Sequence, residues 1–209
     1  MKNKCLFIAV FALTCASYSF SQGIKYTKND TIRYIVKNEI PRFFSGTLWT
    51  GIEYPLKNKK SIYVSGIATY GSNFSSNRQL IGWGGEFQYR SYLGKGDFVT
   101  NYPIYLAGQL MFRRLNDYSV SENGQFVNDV WISTQTESKS SYNVYYAGIL
   151  LGCQVFVNQV FTLDLNFGGG LRLSQIDGEK SFTKYKNLSS LNYSGVMPRL
   201  GLVIGIIQH

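Results

Sequence analysis

Apolar and polar residues alternate with a period of two along most of this 209-residue chain. In the segment 81–90, one set of alternate positions is apolar or glycine and the other is polar or glycine. The first set is Ile81, Trp83, Gly85, Phe87 and Tyr89, and the second is Gly82, Gly84, Glu86, Gln88 and Arg90. Successive side chains of a β-strand point to opposite faces, whereas a helix would mix the two sets around its circumference. The segment is therefore predicted to be a strand with one apolar and one polar face.

Alternation of this kind predicts eight strands between about residues 31 and 207. It is clear over residues 161–174 and softer over residues 47–56, 62–70, 102–114, 142–157 and 199–206. One more strand, with a weak pattern, is predicted within residues 31–42, although Pro41 does not suit the middle of a strand. With 44% hydrophobic and only 16% charged residues, the composition excludes a disordered chain.

The polar faces of these strands are predicted to point into a barrel, and the apolar faces outward. Glycine is frequent on the polar face, for example at Gly168, Gly170 and Gly201, and side chains just fill the interior of an eight-stranded barrel. Polar residues inside and apolar residues outside are typical of outer-membrane barrels, and soluble lipocalin-like barrels show the reverse. The predicted fold is all-β, an eight-stranded antiparallel up-and-down transmembrane β-barrel. The alternative is a secreted soluble ligand-binding barrel.

Charged residues occur one or two per strand on the predicted inward face. They are Glu53, Glu86, Arg90, Arg113, Asp164, Arg172 and Arg199. All four cations are arginines, whose planar guanidinium suits bidentate pairing with buried carboxylates. We predict that these residues form a structural polar network inside the barrel. Glu53 and Glu86 could also be taken for a catalytic carboxylate pair, but the arginines on the same face favour ion pairing.

Connections of two lengths alternate along the chain. Short ones fall at residues 57–60, 94–100 and 158–159, and longer ones at 72–79, 115–141 and 176–192. This alternation predicts short periplasmic turns and longer extracellular loops. Within the longest loop, Asn123-Gly124 is a hairpin-turn signal. Aromatic residues near strand ends predict girdles at the two membrane interfaces, namely Tyr54, Tyr70, Trp83, Tyr89, Tyr102, Phe112, Tyr142 and Phe161.

The first 21 residues have the pattern of a secretory signal peptide (residues 1–21). Lys2 and Lys4 precede a short apolar run, and small residues follow before Gln22. Residues 22–209 would then form the barrel domain, with Cys153 as its single cysteine. A single thiol cannot form an intrachain disulfide, so a core, a membrane or both must stabilise the exported chain. The predicted location is the outer membrane of a Gram-negative bacterial cell.

No catalytic residue, cofactor site or metal site is predicted from the sequence. The single histidine, His209, is the last residue, and a frayed end cannot hold a general base in position. Cys153 falls on the predicted apolar face, where a thiolate is disfavoured. The chain is therefore predicted not to be an enzyme. A narrow pore and a lipid A-modifying enzyme are the weaker alternatives.

The formal net charge of +9 is spread along the chain rather than collected in one patch. Basic residues such as Lys37 and Arg42 are therefore expected to contact phosphates of outer-membrane lipid and lipopolysaccharide, and nucleic acid is not expected as a partner. Loops carry function more often than the strands that they connect. An extracellular partner is predicted to bind through loops 116–141 and 176–192.

Four segments resemble uncharacterised small outer-membrane barrel families of the OmpA/OmpX-like type. They are Gly51–Leu56, Gly85–Leu93, Ala147–Gly152 and Pro198–Gly205. The resemblance covers roughly residues 31–207. It implies the architecture and an outer-membrane location, and it implies no enzyme activity. The predicted function is that of an integral outer-membrane protein with a structural or surface-interaction role.

Overall fold

A computed structural model describes residues 32–73, 78–93, 104–127, 130–157, 159–179, 182–183, 191 and 193–209. These residues contain eight strands and one short helix, α1 (Ile40–Phe43). The strands are β1 (Tyr34–Glu39), β2 (Thr47–Leu56), β3 (Lys60–Asn73), β4 (Arg78–Tyr92), β5 (Ile104–Val127), β6 (Val130–Phe156), β7 (Phe161–Ile176) and β8 (Gly195–Gln208). The predicted signal peptide, residues 1–21, lies outside the described residues.

The eight strands form one closed barrel in which each strand pairs antiparallel with its neighbour in sequence. Closure is made by β1 and β8, which pair from Tyr34–Gln208 to Glu39–Val203. The predicted all-β, eight-stranded antiparallel up-and-down barrel is thus confirmed. Following the paired residues from one strand to the next, starting at Val36 of β1, leads to Val196 of β8. The direct pairing of β1 with β8 instead joins Val36 to Ile206, which lies ten residues further along β8. Such a stagger accompanies strands tilted by roughly 35–45° to the barrel axis.

The predicted strand within residues 31–42 is shorter than expected. β1 ends at Glu39, and α1 follows with a proline at its start, where the missing N–H breaks no helical hydrogen bond. The alternation of β1 is weak because Ile35 shares the inward face with Lys37. This mixing of apolar and charged residues on one face hides the period of two.

The predicted loop 115–141 is largely a two-stranded ribbon. β4 stops pairing with β5 at Ser119, but β5 and β6 continue together from Val120–Glu137 to Val127–Val130. Asn123 and Gly124 therefore lie within β5, and the turn predicted there is wrong. The pairing of β5 with β6 ends at Val127–Val130, and the two residues between them, Asn128 and Asp129, lie outside the described residues.

The barrel has two distinct ends. We call one of them the terminus end, because Arg33 and Gln208 lie there. It also holds two short links, residues 57–59 between β2 and β3 and residues 157–160 between β6 and β7. The ribbon end holds α1, the β5–β6 ribbon and the link from β7 to β8. Of the other predicted connections, residues 74–77 and 94–103 and most of 180–192 lie outside the described residues.

Most polar side chains of the strands point into the barrel, and most of the large apolar ones point out of it. On the outside, Phe87 is 41% and Leu165 42% exposed, whereas the inward Arg90 is 1% exposed. The predicted outward aromatics Tyr54, Tyr70, Trp83, Tyr89 and Phe161 are exposed. Tyr142 was wrongly placed among them, because its side chain packs inward against Leu115 and Val144. Within the described ranges, no helix is long and apolar enough to cross a membrane.

Glycines on the inward face leave room for large interior side chains. A Cβ built on Gly152 of β6 would collide with the ring of Tyr105 on β5, whose hydroxyl donates a hydrogen bond to Asp164 (2.8 Å). Gly108, on the outward face of β5, has no atom within 4 Å of the same Cβ position. The two glycines lie on paired strands. Alanine substitutions at the two positions therefore distinguish the cost of crowding in the interior from the general effect of an added methyl group.

We expect Gly152→Ala to lower the free energy of unfolding by about 1–3 kcal/mol, because the interior has no space for the methyl group. Gly108→Ala should leave it unchanged or raise it slightly, since alanine restricts the unfolded chain. Denaturant unfolding of the purified barrel measures both. Equal effects of the two substitutions would contradict a filled interior.

Candidate functional site

A cluster of four charged side chains crosses the interior near the terminus end, and we call it the charge cluster. It consists of Lys37 of β1, Glu53 of β2, Arg90 of β4 and Asp164 of β7, each no more than 1% exposed. Lys37 pairs with Glu53 and with Asp164 (2.7 Å), and Arg90 pairs with Glu53 (3.2 Å) and with Asp164 (2.7 Å). Two cations and two carboxylates therefore balance one another in a site without solvent exposure.

Neutral side chains complete the hydrogen bonding of the charge cluster. Tyr92 and Ser61 donate to Glu53 at 2.7 and 2.5 Å, and Tyr105 donates to Asp164 at 2.8 Å. The Arg90 guanidinium also lies over the rings of Tyr63 and Tyr105, 4.9 and 4.5 Å from their centroids. Buried charges are tolerated when they are both paired and hydrogen-bonded, and this cluster meets both conditions.

A second set of contacts connects the charge cluster to the middle of the barrel. Arg90 donates to Gln88 (2.9 Å), which in turn donates to Glu86. Arg199 of β8 reaches across the interior to Glu86 (3.1 Å) and to Glu39 (3.4 Å). The interior is thus filled largely by a connected polar network, and small clusters of buried hydrophobic side chains lie beside it.

A cavity of about 280 Å³ occupies the interior toward the ribbon end, and we call it the arginine cavity. Four arginines line it: Arg42, Arg113, Arg172 and Arg199. Arg42 pairs with Glu39 (3.2 Å), and Arg199 has the two carboxylates given above. Arg113 donates instead to the hydroxyl of Thr69 (2.8 Å), and Arg172 to the carbonyl of Leu191 (2.5 Å).

The seven residues predicted as an interior network all lie on the inward face, but the structure divides them into three groups. Glu53, Arg90 and Asp164 belong to the charge cluster, and Glu86 pairs with Arg199 in the middle of the barrel. Arg113 and Arg172 line the arginine cavity, and neither has a carboxylate partner among the described side chains. Glu53 and Glu86 each have their own cations and do not form a carboxylate pair.

Two charged residues of the network were missed by the sequence reasoning. Lys37 was expected among the basic residues that contact lipid phosphates, and that expectation is wrong, because its side chain is fully buried in the charge cluster. Glu39, also buried, pairs with Arg42 and Arg199. Lys37 and Glu39 are two residues apart and lie on the same face of β1 as Ile35. Applying the alternation of inward and outward residues to this strand would therefore have predicted both side chains inside the barrel.

The histidine and the cysteine of the described residues lie away from the charge cluster and the arginine cavity. His209 is exposed, and its ring lies 3.0 Å from the carbonyl oxygen of Gln159. Cys153 is a free thiol on the outward face of β6. Across the described ranges, no group of three or more His, Cys, Asp or Glu side chains could hold a metal ion. The interior chemistry is that of ion pairs and of the arginine cavity.

No protein-family model, curated protein or solved structure matches this chain. The resemblance to OmpA/OmpX-like barrels therefore stays a prediction from the four sequence segments.

We expect Lys37→Met to lower the free energy of unfolding by about 3–5 kcal/mol, because it leaves two buried carboxylates with a single cation. Lys139→Met is the matched control, since Lys139 is an exposed residue of β6 just beyond the ribbon, over the ring of Tyr118 (5.2 Å), and should contribute less than about 1 kcal/mol. Denaturant unfolding measures both variants. Adding Asp164→Asn to Lys37→Met should recover part of the loss, and strictly additive losses would contradict coupling within the charge cluster.

Proposed function

We propose that this chain is an integral β-barrel protein of a bacterial outer membrane, without a catalytic site of its own, that has a structural or surface-interaction role. The observation that carries the proposal is the apolar outer surface around a buried, charged interior. The membrane location, the orientation and the partners are parts of the proposal, and the closed barrel is its structural basis.

The apolar surface is continuous around the barrel. One row of paired residues crosses all eight strands, and every member is apolar: Val36, Ile52, Val64, Phe87, Leu110, Ala147, Leu171 and Val196. Leu110, Leu171 and Val196 in this row are 59%, 61% and 67% exposed. Soluble monomers rarely expose apolar patches of more than a few hundred Å², and a ring around the whole molecule exceeds that.

A closed barrel also meets the requirement that lipid places on the backbone. No water is present in the hydrocarbon region, so each N–H and C=O group there needs a partner within the protein. The pairing of β8 with β1 removes both sheet edges. Closure and an apolar outside together support a membrane location, and both follow from the same strand register.

The β5–β6 ribbon supports the surface role. Its eight residue pairs beyond Ser119 extend about 27 Å past the last pairing with β4. In the proposed orientation the ribbon end is extracellular and the short links of the terminus end are periplasmic. Loops 116–141 and 176–192 would then face an extracellular partner, and the rim would contact lipid and lipopolysaccharide.

Cell fractionation combined with gel mobility tests the proposal. We expect the full chain to be recovered in the outer-membrane fraction, to need detergent for extraction, and to migrate in SDS gels at a different position before and after boiling. Recovery of a folded, monodisperse protein from the soluble fraction without detergent would contradict it and favour the soluble ligand-binding alternative.

A single charge on the outer surface gives a sharper test. Leu200 is 78% exposed, so Leu200→Arg would change the stability of a barrel in water by no more than about 0.5 kcal/mol. Near the middle of a bilayer the same arginine should lower the free energy of unfolding by about 2–4 kcal/mol. Ser138→Arg, at an exposed position of β6 beside the ribbon, is the matched control and should have little effect. Unfolding of the three proteins in phospholipid vesicles measures the difference, and equal stabilities would contradict a lipid-facing surface.

A further inference from the structure

The arginine cavity differs from the rest of the described interior in its charge. The charge cluster has two cations and two carboxylates, whereas the lining of the cavity has four arginines and no carboxylate. Glu39 and Glu86, just beyond the lining, pair with Arg42 and Arg199. Two positive charges, those of Arg113 and Arg172, are left without a carboxylate among the described residues.

Three of the four guanidinium groups of the cavity lie around one indole ring. Arg42, Arg113 and Arg199 lie 5.1, 5.9 and 4.9 Å from the centroid of Trp49. The charges that act on Arg113 are those of Arg42, Arg172 and Arg199 and, with the opposite sign, that of Glu39. Like charges around one ring repel one another, and only Arg42 and Arg199 have carboxylate partners. The placement of Arg113 and Arg172 in this largely buried site is therefore costly unless a further anion lies between them.

The two unpaired arginines also retain hydrogen-bonding capacity. A guanidinium has five N–H donors. Arg113 donates one hydrogen bond, to Thr69, and Arg172 donates to Leu191 and weakly to the sulfur of Met197 (3.6 Å). The buried Nε atoms of both arginines have no hydrogen-bond partner among the described groups, and neither does the hydroxyl of Tyr146 in the same lining. These donors suit an acceptor-rich group such as a carboxylate or a phosphate.

Apolar side chains form the remainder of the lining. Leu80, Leu115, Val144 and Leu191 lie on the side of the ribbon end, and Met111 and Met197 complete the wall. An apolar cavity of about 150 Å³ is large enough to bind benzene. The arginine cavity, at about 280 Å³, therefore has room for an aromatic ring or a short acyl chain in addition to an anionic group.

We propose that the arginine cavity binds a small organic anion with an apolar body, with its carboxylate or phosphate held by Arg113 and Arg172. The apolar body would lie against the leucine side chains toward the ribbon end. This inference rests on the interior geometry and does not depend on the membrane location, so it can fail while the proposed function stands. It goes beyond that function by giving the barrel a ligand class.

Calorimetric titration of the refolded full chain tests the proposal. The probes are benzoate and phenyl phosphate, with benzamide as the uncharged analogue and inorganic phosphate as the anion without an apolar body. The fluorescence of Trp49, in a protein carrying Trp83→Phe and Trp131→Phe, gives a second, local readout. We expect saturable binding of at least one organic anion, with benzamide and inorganic phosphate at least about tenfold weaker, because each lacks one of the two interactions.

The variants Arg113→Gln and Arg172→Gln should each weaken anion binding by at least about tenfold. Arg114→Gln is the matched control: Arg114 adjoins Arg113 in sequence but lies on the outward face, in an exposed pair with Asp177 (2.7 Å), and its loss should leave the affinity within about twofold. Mobility of the unboiled protein in SDS gels reports whether each variant is folded. If Arg113→Gln does not fold, Arg113→Lys keeps the charge, loses the planar fork and should still weaken binding.

Stability without ligand separates a binding role from a structural one. Arg113→Met should raise the denaturation midpoint of the ligand-free barrel, because it removes an uncompensated buried charge, whereas an arginine that only stabilises the barrel would give the opposite result. Equal binding of benzamide and benzoate, equal losses for Arg114→Gln and Arg113→Gln, or no saturable binding of either organic anion would each overturn the proposal.

Discussion

The pairing of Lys37 and Arg90 with Glu53 and Asp164 is the interaction on which the rest of the structure depends. These four side chains come from β1, β2, β4 and β7, so one cluster connects strands on different sides of the barrel. A barrel that turns its apolar residues outward has no continuous apolar core to hold its interior. Its interior must be filled by polar groups that satisfy one another, and the cost of an unpaired buried charge makes that pairing obligatory. Small residues such as Gly152 then follow as a requirement, because the tyrosines that hydrogen-bond the carboxylates need the space.

The two halves of the interior have different chemistry. Toward the terminus end, charges of both signs are paired at distances typical of strong hydrogen bonds, and aromatic rings pack around them. Toward the ribbon end, arginines surround Trp49 and leave a cavity with an apolar wall. The first arrangement connects strands across the interior, and the second accounts for the proposed anion site at the end where the ribbon and α1 lie. A barrel of this size can therefore be both filled and able to bind a ligand.

The alternation of residues was enough to predict the barrel, because the period of two is a direct consequence of strand geometry. In β4 and β7 it identified the inward residues individually, including Arg90 and Asp164. The alternation was insufficient in β1, where apolar Ile35 lies on the inward face and polar Asn38 on the outward face. The difference in polarity between the two faces is therefore small, and Lys37 was not predicted to lie inside. The alternation also could not give pairing partners, since contacts such as Arg199 with Glu39 depend on the stagger of the closed barrel. The Asn123-Gly124 signal failed because pairing of β5 with β6 continues past it.

Quenching of tryptophan fluorescence by brominated phospholipids tests the outward apolar surface and the inward polar face in one measurement. Trp83 is 60% exposed on the outside of β4, whereas Trp49 is 2% exposed inside the barrel. Two single-tryptophan proteins are compared, one that retains only Trp83 and one that retains only Trp49, each reconstituted in vesicles of brominated phosphatidylcholine. Fluorescence should be strongly quenched in the first protein and weakly quenched in the second. Strong quenching of Trp49 with little effect on Trp83, or no quenching of either, would contradict a barrel that turns its apolar face to lipid.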